Sequence, residues 1–266
     1  MIRKLLSRRI PTRIKNVVFG WVKLIASKHR GDDAFLKHEE SIVAIYGNAL
    51  PLHKFVVADE ILALLINEFD KSKRIESCFS TSGADYVASK FQTEIYKQLN
   101  LNHSYLDCST WHHSIENLIS IHMSDIQQAT RSPFLVVNVR AWETKPDAGD
   151  FGPSAWHRDG MSRGHLKLMI YLNGLGNELG SLEIQDCEPI CGPPGLAVVF
   201  QNSDLTHRAR PSNGSSLRPV IEVTLMRSLL DPARKKPFIG HDNDRHLRHP
   251  YLAYSSRNFD LHKDES

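Results

Sequence analysis

A chain of 266 residues, 41% apolar and 24% charged, has the size and balance of one large globular domain or of a domain with an N-terminal elaboration. No run approaches the roughly 18 uncharged apolar residues of a membrane-crossing helix. The four cysteines, Cys78, Cys108, Cys187 and Cys191, are too few and too scattered for a disulfide scaffold.

The net charge of +3 hides an asymmetry: residues 1–30 hold nine Lys or Arg and no Asp or Glu, so the rest of the chain is acidic on balance. A nucleic-acid-binding domain would spread its basic charge over a folded face. A basic head instead suits an arm that meets something anionic. Ile14, Val17, Val18, Trp21, Leu24 and Ile25 recur at helical spacing, with Arg13, Lys15, Lys23 and Lys28 around them. The pattern predicts a short basic amphipathic helix, either packed on the body of the protein or lying on an anionic membrane surface. Lys23 interrupts the apolar run and no small-residue cleavage site follows, so a secretory signal is not expected. The reading is a cytoplasmic protein, with peripheral membrane contact through residues 1–30 as the variant.

Residues 31–132 read as mostly helical support, with apolar stripes over Val56 to Phe69, Tyr86 to Leu99 and Ser114 to Thr130. Asp59, Ser89 and Ser114 lie near helix starts. Trp111-His112-His113 reads as another helix start, with one histidine half-buried. After Pro133 the period changes to alternation. Strands are expected over Phe134–Trp142, around Trp156–Asp159, and over His165–Asn173 and Ser181–Ile184. Leu196–Gln201, Leu205–Ala209 and Arg218–Met226 complete the set, and Gly and Pro clusters separate them. The predicted fold is α+β with a mainly β core: a double-stranded β-helix, or jelly roll, over 133–228, flanked by N-terminal helices. Residues 31–232 then form a single domain, and 233–266 an irregular, basic, histidine-rich tail. His246 and His249, with His241, Asp242 and Asp244 before them, read as a polar tail near the cavity mouth more readily than as a second metal site.

The chemistry concentrates in Trp156-His157-Arg158-Asp159-Gly160. Residues two apart on an extended segment point to one side, so His157 and Asp159 can bind one ion. His207 lies on a later strand. Two imidazoles and one carboxylate leave metal positions open, the arrangement of non-haem Fe(II) oxygenases. Arg218 follows His207 by 11 residues at the start of the next strand. Its guanidinium can take a carboxylate in two parallel hydrogen bonds, which suits the distal carboxylate of 2-oxoglutarate.

With His157, Asp159, His207 and Arg218 in this order, the chain resembles the Fe(II)/2-oxoglutarate-dependent oxygenases, most closely the phytanoyl-CoA dioxygenase-like branch. The matching stretch runs from about Phe134 to Arg227. The resemblance implies Fe(II), 2-oxoglutarate and O2, with decarboxylation coupled to substrate oxidation, usually hydroxylation. Many members place a small hydroxyl residue two positions after the distal histidine; Ala209 stands there in this chain. An intact Asp159 favours hydroxylation or desaturation over halogenation.

Alternation suggests the pocket lining. Val220, Glu222 and Thr224 share the face of Arg218, opposite Ile221, Val223 and Leu225. His165, Lys167, Met169 and Tyr171 oppose Leu166, Leu168, Ile170 and Leu172, and Asn138, Arg140 and Trp142 oppose Leu135, Val137 and Val139. The apolar faces should pack on the helices. Asn138, Lys167 and Tyr171 are candidates for cosubstrate contact, and Arg140, Trp142 and Glu222 for substrate contact. The competing reading is that several of them bridge one another in a salt-bridged interior. Trp156 is expected to be a packing residue. The substrate is a biosynthetic small molecule or a lipid- or sugar-linked conjugate. The rival function is a cupin-like isomerase or binding protein that uses the same three ligands without 2-oxoglutarate.

Overall fold

The computed structural model describes residues 39–75, 103–146, 154–158, 164–176, 178–202, 204–214 and 216–228. The basic arm, the stripe over Tyr86 to Leu99, the tail with His246 and His249, and Asp159 lie outside the described residues. In chain order come β1 (Leu52–Val56), α1 (Asp59–Lys71), β2 (Arg74–Ile75), β3 (His103–Leu106), α2 (His112–Ile121), α3 (Met123–Thr130) and β4 (Phe134–Thr144). Then follow β5 (His165–Tyr171), β6 (Leu182–Ile184), β7 (Leu196–Phe200), β8 (His207–Ala209) and β9 (Arg218–Arg227). A further helical segment covers 39–46.

The major sheet runs β1-β7-β5-β9-β4-β3-β2, and its described pairings are all antiparallel. The minor sheet pairs β6 with β8. Isolated bridges extend it on both sides, from His157 to His207 and from Leu182 to Ile190. Four strands of the major sheet, β4-β9-β5-β7, thus stand against four extended segments of the minor one. From β4 onward the chain crosses repeatedly between the two sheets, with β6 and the Ile190 segment consecutive in the minor one. That alternation is the jelly roll expected from the strand pattern.

Each sheet face has its own partner. Val139, Ala141, Leu166, Leu168, Ile170, Val199, Ile221, Val223 and Leu225 share one buried cluster with Ile61, Leu65 and Phe69 of α1 and Ile115, Leu118 and Ile119 of α2. The inner face joins Met169, Tyr171, Leu196, Val198, Phe200 and Val220 to Leu182 and Ile184 of the minor sheet. At roughly 25 cal/mol per Å2 of apolar surface, these two layers supply most of the drive for folding.

The region expected to be mostly helical contributes three strands, β1, β2 and β3, to the edges of the major sheet. Leu52 to Val56 looks like the lead-in to a helix, but pairing with β7 extends it, and α1 begins only at Asp59. The single helix expected over Ser114 to Thr130 is two helices, starting at His112 and broken at His122. There the His122 ring stacks on Phe55 at 4.9 Å, and its Nε2 accepts the Ala58 N–H at 3.0 Å. The side chain thus satisfies a backbone donor at the start of α1.

Alternation along β4 also carries a phase error. The register with β9 shifts between Val136 and Asn138, a β-bulge that inserts one residue. Phe134 and Val136 therefore face the helices, whereas Leu135 turns to the inner face and packs on Met226. The expected grouping of Leu135 with Val139 is corrected accordingly.

Wholly buried Arg227, the last residue of β9, donates to Glu39 Oε1 at 2.6 Å, to Gly47 O at 2.6 Å and to Ser132 Oγ at 3.2 Å. It ties the first described helical segment to the last strand. No helix among the described residues is long and apolar enough to cross a membrane.

Candidate metal and cosubstrate site

His157 and His207 are brought together by the minor sheet. Their backbones exchange both hydrogen bonds, His157 N–H to His207 O at 3.0 Å and His207 N–H to His157 O at 2.9 Å. Arg158 Nε donates to Thr206 Oγ1 at 2.9 Å on the opposite face and secures the same junction. The two imidazole centroids lie 4.4 Å apart. Each ring makes the same second contact: Nδ1 of His157 meets Ala155 O at 2.8 Å, and Nδ1 of His207 meets Leu205 O at 2.9 Å. A carbonyl can only accept, so both Nδ1 atoms carry the proton and both Nε2 atoms keep a lone pair. Such backbone anchoring of Nδ1–H is how metal-binding imidazoles are oriented. Phe200 presents an edge to His207, 4.9 Å between centroids, and fixes its tilt.

These two histidines fit a divalent metal. Among the described residues no set of three His, Cys, Asp or Glu converges. The third expected ligand, Asp159, lies outside them.

Arg218 is 3% exposed, at the start of β9. Its Nη1 donates to Arg210 O at 2.7 Å and to Leu179 O at 3.3 Å. Its Nε is buried with no hydrogen-bond partner, and no carboxylate among the described residues pairs it. Burial pulls its pKa below the ordinary value, and the nearby Tyr171 partly opposes that shift. A guanidinium remains charged even so. A buried cation with an empty donor edge fits an incoming carboxylate. Gly180, at φ 79°, makes the site possible: a Cβ there would drive into Arg210 O and lie 2.8 Å from Arg218 Nη1.

Cross-strand register orders the rest of the inner face. Thr144 pairs with Arg218; Trp142 and Tyr171 both pair with Val220. Arg140 and Met169 flank Glu222, and Asn138 and Lys167 flank Thr224. Burial pushes the Tyr171 phenol up to about 12; Arg218 draws it down and Glu222 pushes it up. Tyr171 is therefore a neutral hydroxyl at ordinary pH. Glu222, 2% exposed, is held by Arg140 and by Lys167 Nζ at 3.3 Å. Arg140, Lys167 and Glu222 thus bridge one another, the competing reading of the sequence, which leaves Glu222 little capacity for a substrate. Asn138 Oδ1 and Thr144 Oγ1 are buried without partners.

Trp156 is 46% exposed, with the Arg208 guanidinium 4.7 Å above its ring, so it is not the packing residue expected. It borders a groove of about 670 Å3 on the outer face of the minor sheet, with Glu183, Arg208 and Arg210. The groove contains none of His157, His207 and Arg218, and three of its charges are paired with one another: Glu183 binds Arg208 at 2.6 Å and Arg210 at 3.5 Å. Burial pushes the Glu183 carboxyl up, but Arg208, Ser181 and Arg210 outweigh it and hold it below its usual range.

No protein-family model matches the chain, and a search of curated proteins finds no match. Among solved structures, distant likenesses are found. HygX from Streptomyces hygroscopicus, with nickel, 2-oxoglutarate and hygromycin B bound, is 11% identical; the match covers 75% of this chain and 96% of that one at a TM-score of 0.45. The 2-oxoglutarate complex of a viral collagen prolyl hydroxylase from Paramecium Bursaria Chlorella virus-1 is 15% identical, covering 68% and 97% at 0.42. SnoK, a non-heme alpha-ketoglutarate-dependent carbocyclase from nogalamycin biosynthesis, is 14% identical, covering 71% and 83% at 0.45. At these scores and identities the likeness speaks to no residue of the site.

Sequence reasoning missed Thr144, because β4 was expected to stop at Trp142; continuing the alternation by two residues reaches it. It also missed Gly180 and the two carbonyls that set the histidine tautomers. Gly180 stood only as one of a cluster of turn glycines.

Proposed function

We propose that the chain is a non-haem Fe(II) and 2-oxoglutarate-dependent oxygenase, with the metal held by His157, Asp159 and His207 and the distal carboxylate of the oxoacid by Arg218. The carrying observation is a pairing of two features within one barrel. Two imidazoles are anchored side by side through Nδ1, and a buried guanidinium has no carboxylate partner among the described residues. Asp159 enters on its position, two residues after His157 in an extended run.

When bound, Fe(II) would activate O2, the oxidant, which takes two electrons from 2-oxoglutarate as it loses CO2 and two from a substrate C–H bond. The protein's own part is positional. Ala155 O and Leu205 O keep both imidazoles in the metal-binding tautomer, and three ligands leave positions open for cosubstrate and O2. Arg218 orients the oxoacid by its far end. Tyr171 stays protonated and can donate, and Asn138 and Lys167 flank Thr224 farther along the same face. Arg140 and Trp142 form the wall nearest a substrate, with Glu222 holding Arg140 in place. Hydroxylation is the proposed outcome, since a carboxylate at Asp159 leaves no vacancy for a halide. The substrate class is a biosynthetic small molecule or a lipid- or sugar-linked conjugate, the latter reached with the basic arm.

The test is turnover of 2-oxoglutarate to succinate and CO2 by the purified full chain, with and without Fe(II), across a panel of candidate acceptors. Iron-dependent succinate, with an acceptor gaining one oxygen, is the expected result. Turnover that survives a strong chelator would sink the iron assignment, and a chain that binds metal but never 2-oxoglutarate would favour the cupin-like alternative.

A further inference from the structure

Two of the buried polar atoms left without a partner belong to residues directly paired across one ladder. Thr144 ends β4 and Arg218 begins β9, and they oppose each other in the antiparallel register. Directly opposed residues place their Cβ atoms about 4.5–5.5 Å apart on one face of the sheet. Thr144 Oγ1 and Arg218 Nε are both buried and both lack a hydrogen bond. The two side chains are each only 3% exposed, so bulk water does not serve them. An unmet hydroxyl and an unmet guanidinium edge at adjacent positions are each costly, and a single acceptor with two oxygens would satisfy both.

The direction of approach is also constrained. Arg218 Nη1 is committed to Arg210 O and Leu179 O. That leaves the Nε edge as the face a carboxylate can take, with one oxygen on Nε–H and the other within reach of a hydroxyl donor. We propose that Thr144 is that donor. Its Oγ1–H and the Arg218 Nε edge together receive the distal carboxylate of the oxoacid, and Thr144 helps select a dicarboxylic oxoacid over one without the second acid group. This assignment rests on the oxygenase reading of the site.

Thr144→Val keeps the β-branched shape and removes only the hydroxyl, and Thr144→Ser keeps the hydroxyl. Calorimetry on the full chain loaded with redox-inert Mn(II) would compare 2-oxoglutarate with 2-oxobutyrate, which lacks the distal carboxylate. Hydrogen bonds to charged groups are strong enough that Thr144→Val should weaken 2-oxoglutarate binding roughly ten- to hundredfold. Binding of 2-oxobutyrate should be unchanged, and Thr144→Ser should lie within a few-fold of the wild type. Without oxoacid, Thr144→Val should melt no lower than the wild type, because an unmet buried hydroxyl stabilises nothing. A Thr144→Val chain that binds 2-oxoglutarate as tightly as the wild type overturns the inference and leaves the oxygenase reading standing. So does one that loses 2-oxobutyrate equally, or one whose ligand-free melting temperature drops. A wild type that binds Mn(II) but not 2-oxoglutarate overturns both.

Discussion

His157 and His207 exchange both of their backbone hydrogen bonds, at 3.0 and 2.9 Å, while their imidazole centroids stand 4.4 Å apart. The backbone pairing sets the distance between the rings, and the two carbonyls behind them set which nitrogen each ring would offer to the proposed metal. His157→Ala or His207→Ala should abolish binding of one Fe(II) per chain, as read by anaerobic titration, while the backbone ladder persists. Circular dichroism should be nearly unchanged for His157→Ala. A variant of either histidine that still binds Fe(II) with wild-type affinity would remove it from the ligand set.

Arg218→Ala should raise the dissociation constant for 2-oxoglutarate by a few hundredfold, since breaking a buried charge pair typically costs about 3–5 kcal/mol. Metal affinity should barely move. Arg218→Lys should recover part of the loss, because the charge returns without the planar fork. Equal oxoacid affinity in Arg218→Ala and wild type would show that the guanidinium binds something else.

Glu222 carries a different expectation. It is the carboxylate that Arg140 and Lys167 share inside the barrel. Glu222→Ala should therefore act on stability, by about 3–5 kcal/mol, through the cations it leaves behind. Urea unfolding would measure this as a lower midpoint, and a stability loss under about 1 kcal/mol would show that water reaches the cluster.

The Tyr171 phenol supplies a pH signature. Its pKa rises from the ordinary value of 10.0 to about 12 in the folded chain, chiefly through burial. The folded state therefore holds this proton more tightly than the unfolded state. The associated stability is intact below about pH 10 and is lost progressively as pH climbs toward 12. In Tyr171→Phe the fall of stability over that window should be shallower. Parallel curves for the two proteins would mean the ring is solvated.

Strand periodicity made the jelly roll legible because both faces of its major sheet are buried against contrasting partners. Apolar Leu166, Leu168 and Ile170 meet helices, and Lys167, Met169 and Tyr171 meet the interior. The same logic placed His207 and Arg218 on strands. It failed where local pattern is weak or interrupted. Strands β1, β2 and β3 are only five, two and four residues long, too short to display a period, and pairing alone makes them strands. The bulge after Val136 reversed the phase of Leu135, which no alternation rule detects. The unmet Thr144 hydroxyl depends on which residue lies opposite across the ladder, a property of the sheet that a linear reading does not contain.

The strand order has a consequence for how the chain is made. β9 is the last strand in sequence among the described residues, yet it lies between β5 and β4 in the middle of the major sheet. A nascent chain lacking its final strand can assemble two half-sheets, β1-β7-β5 and β4-β3-β2, each with an open edge and nothing to join them. Closure waits for Arg218 to Arg227 to leave the ribosome. Arg218, proposed to receive the oxoacid, begins the segment that completes the barrel, and Arg227, which clasps Glu39, ends it. Until then two apolar edges stand ready to pair with the wrong neighbour. Ribosome-stalled chains released before Arg218 should be the aggregation-prone species, and those released after Arg227 the competent ones.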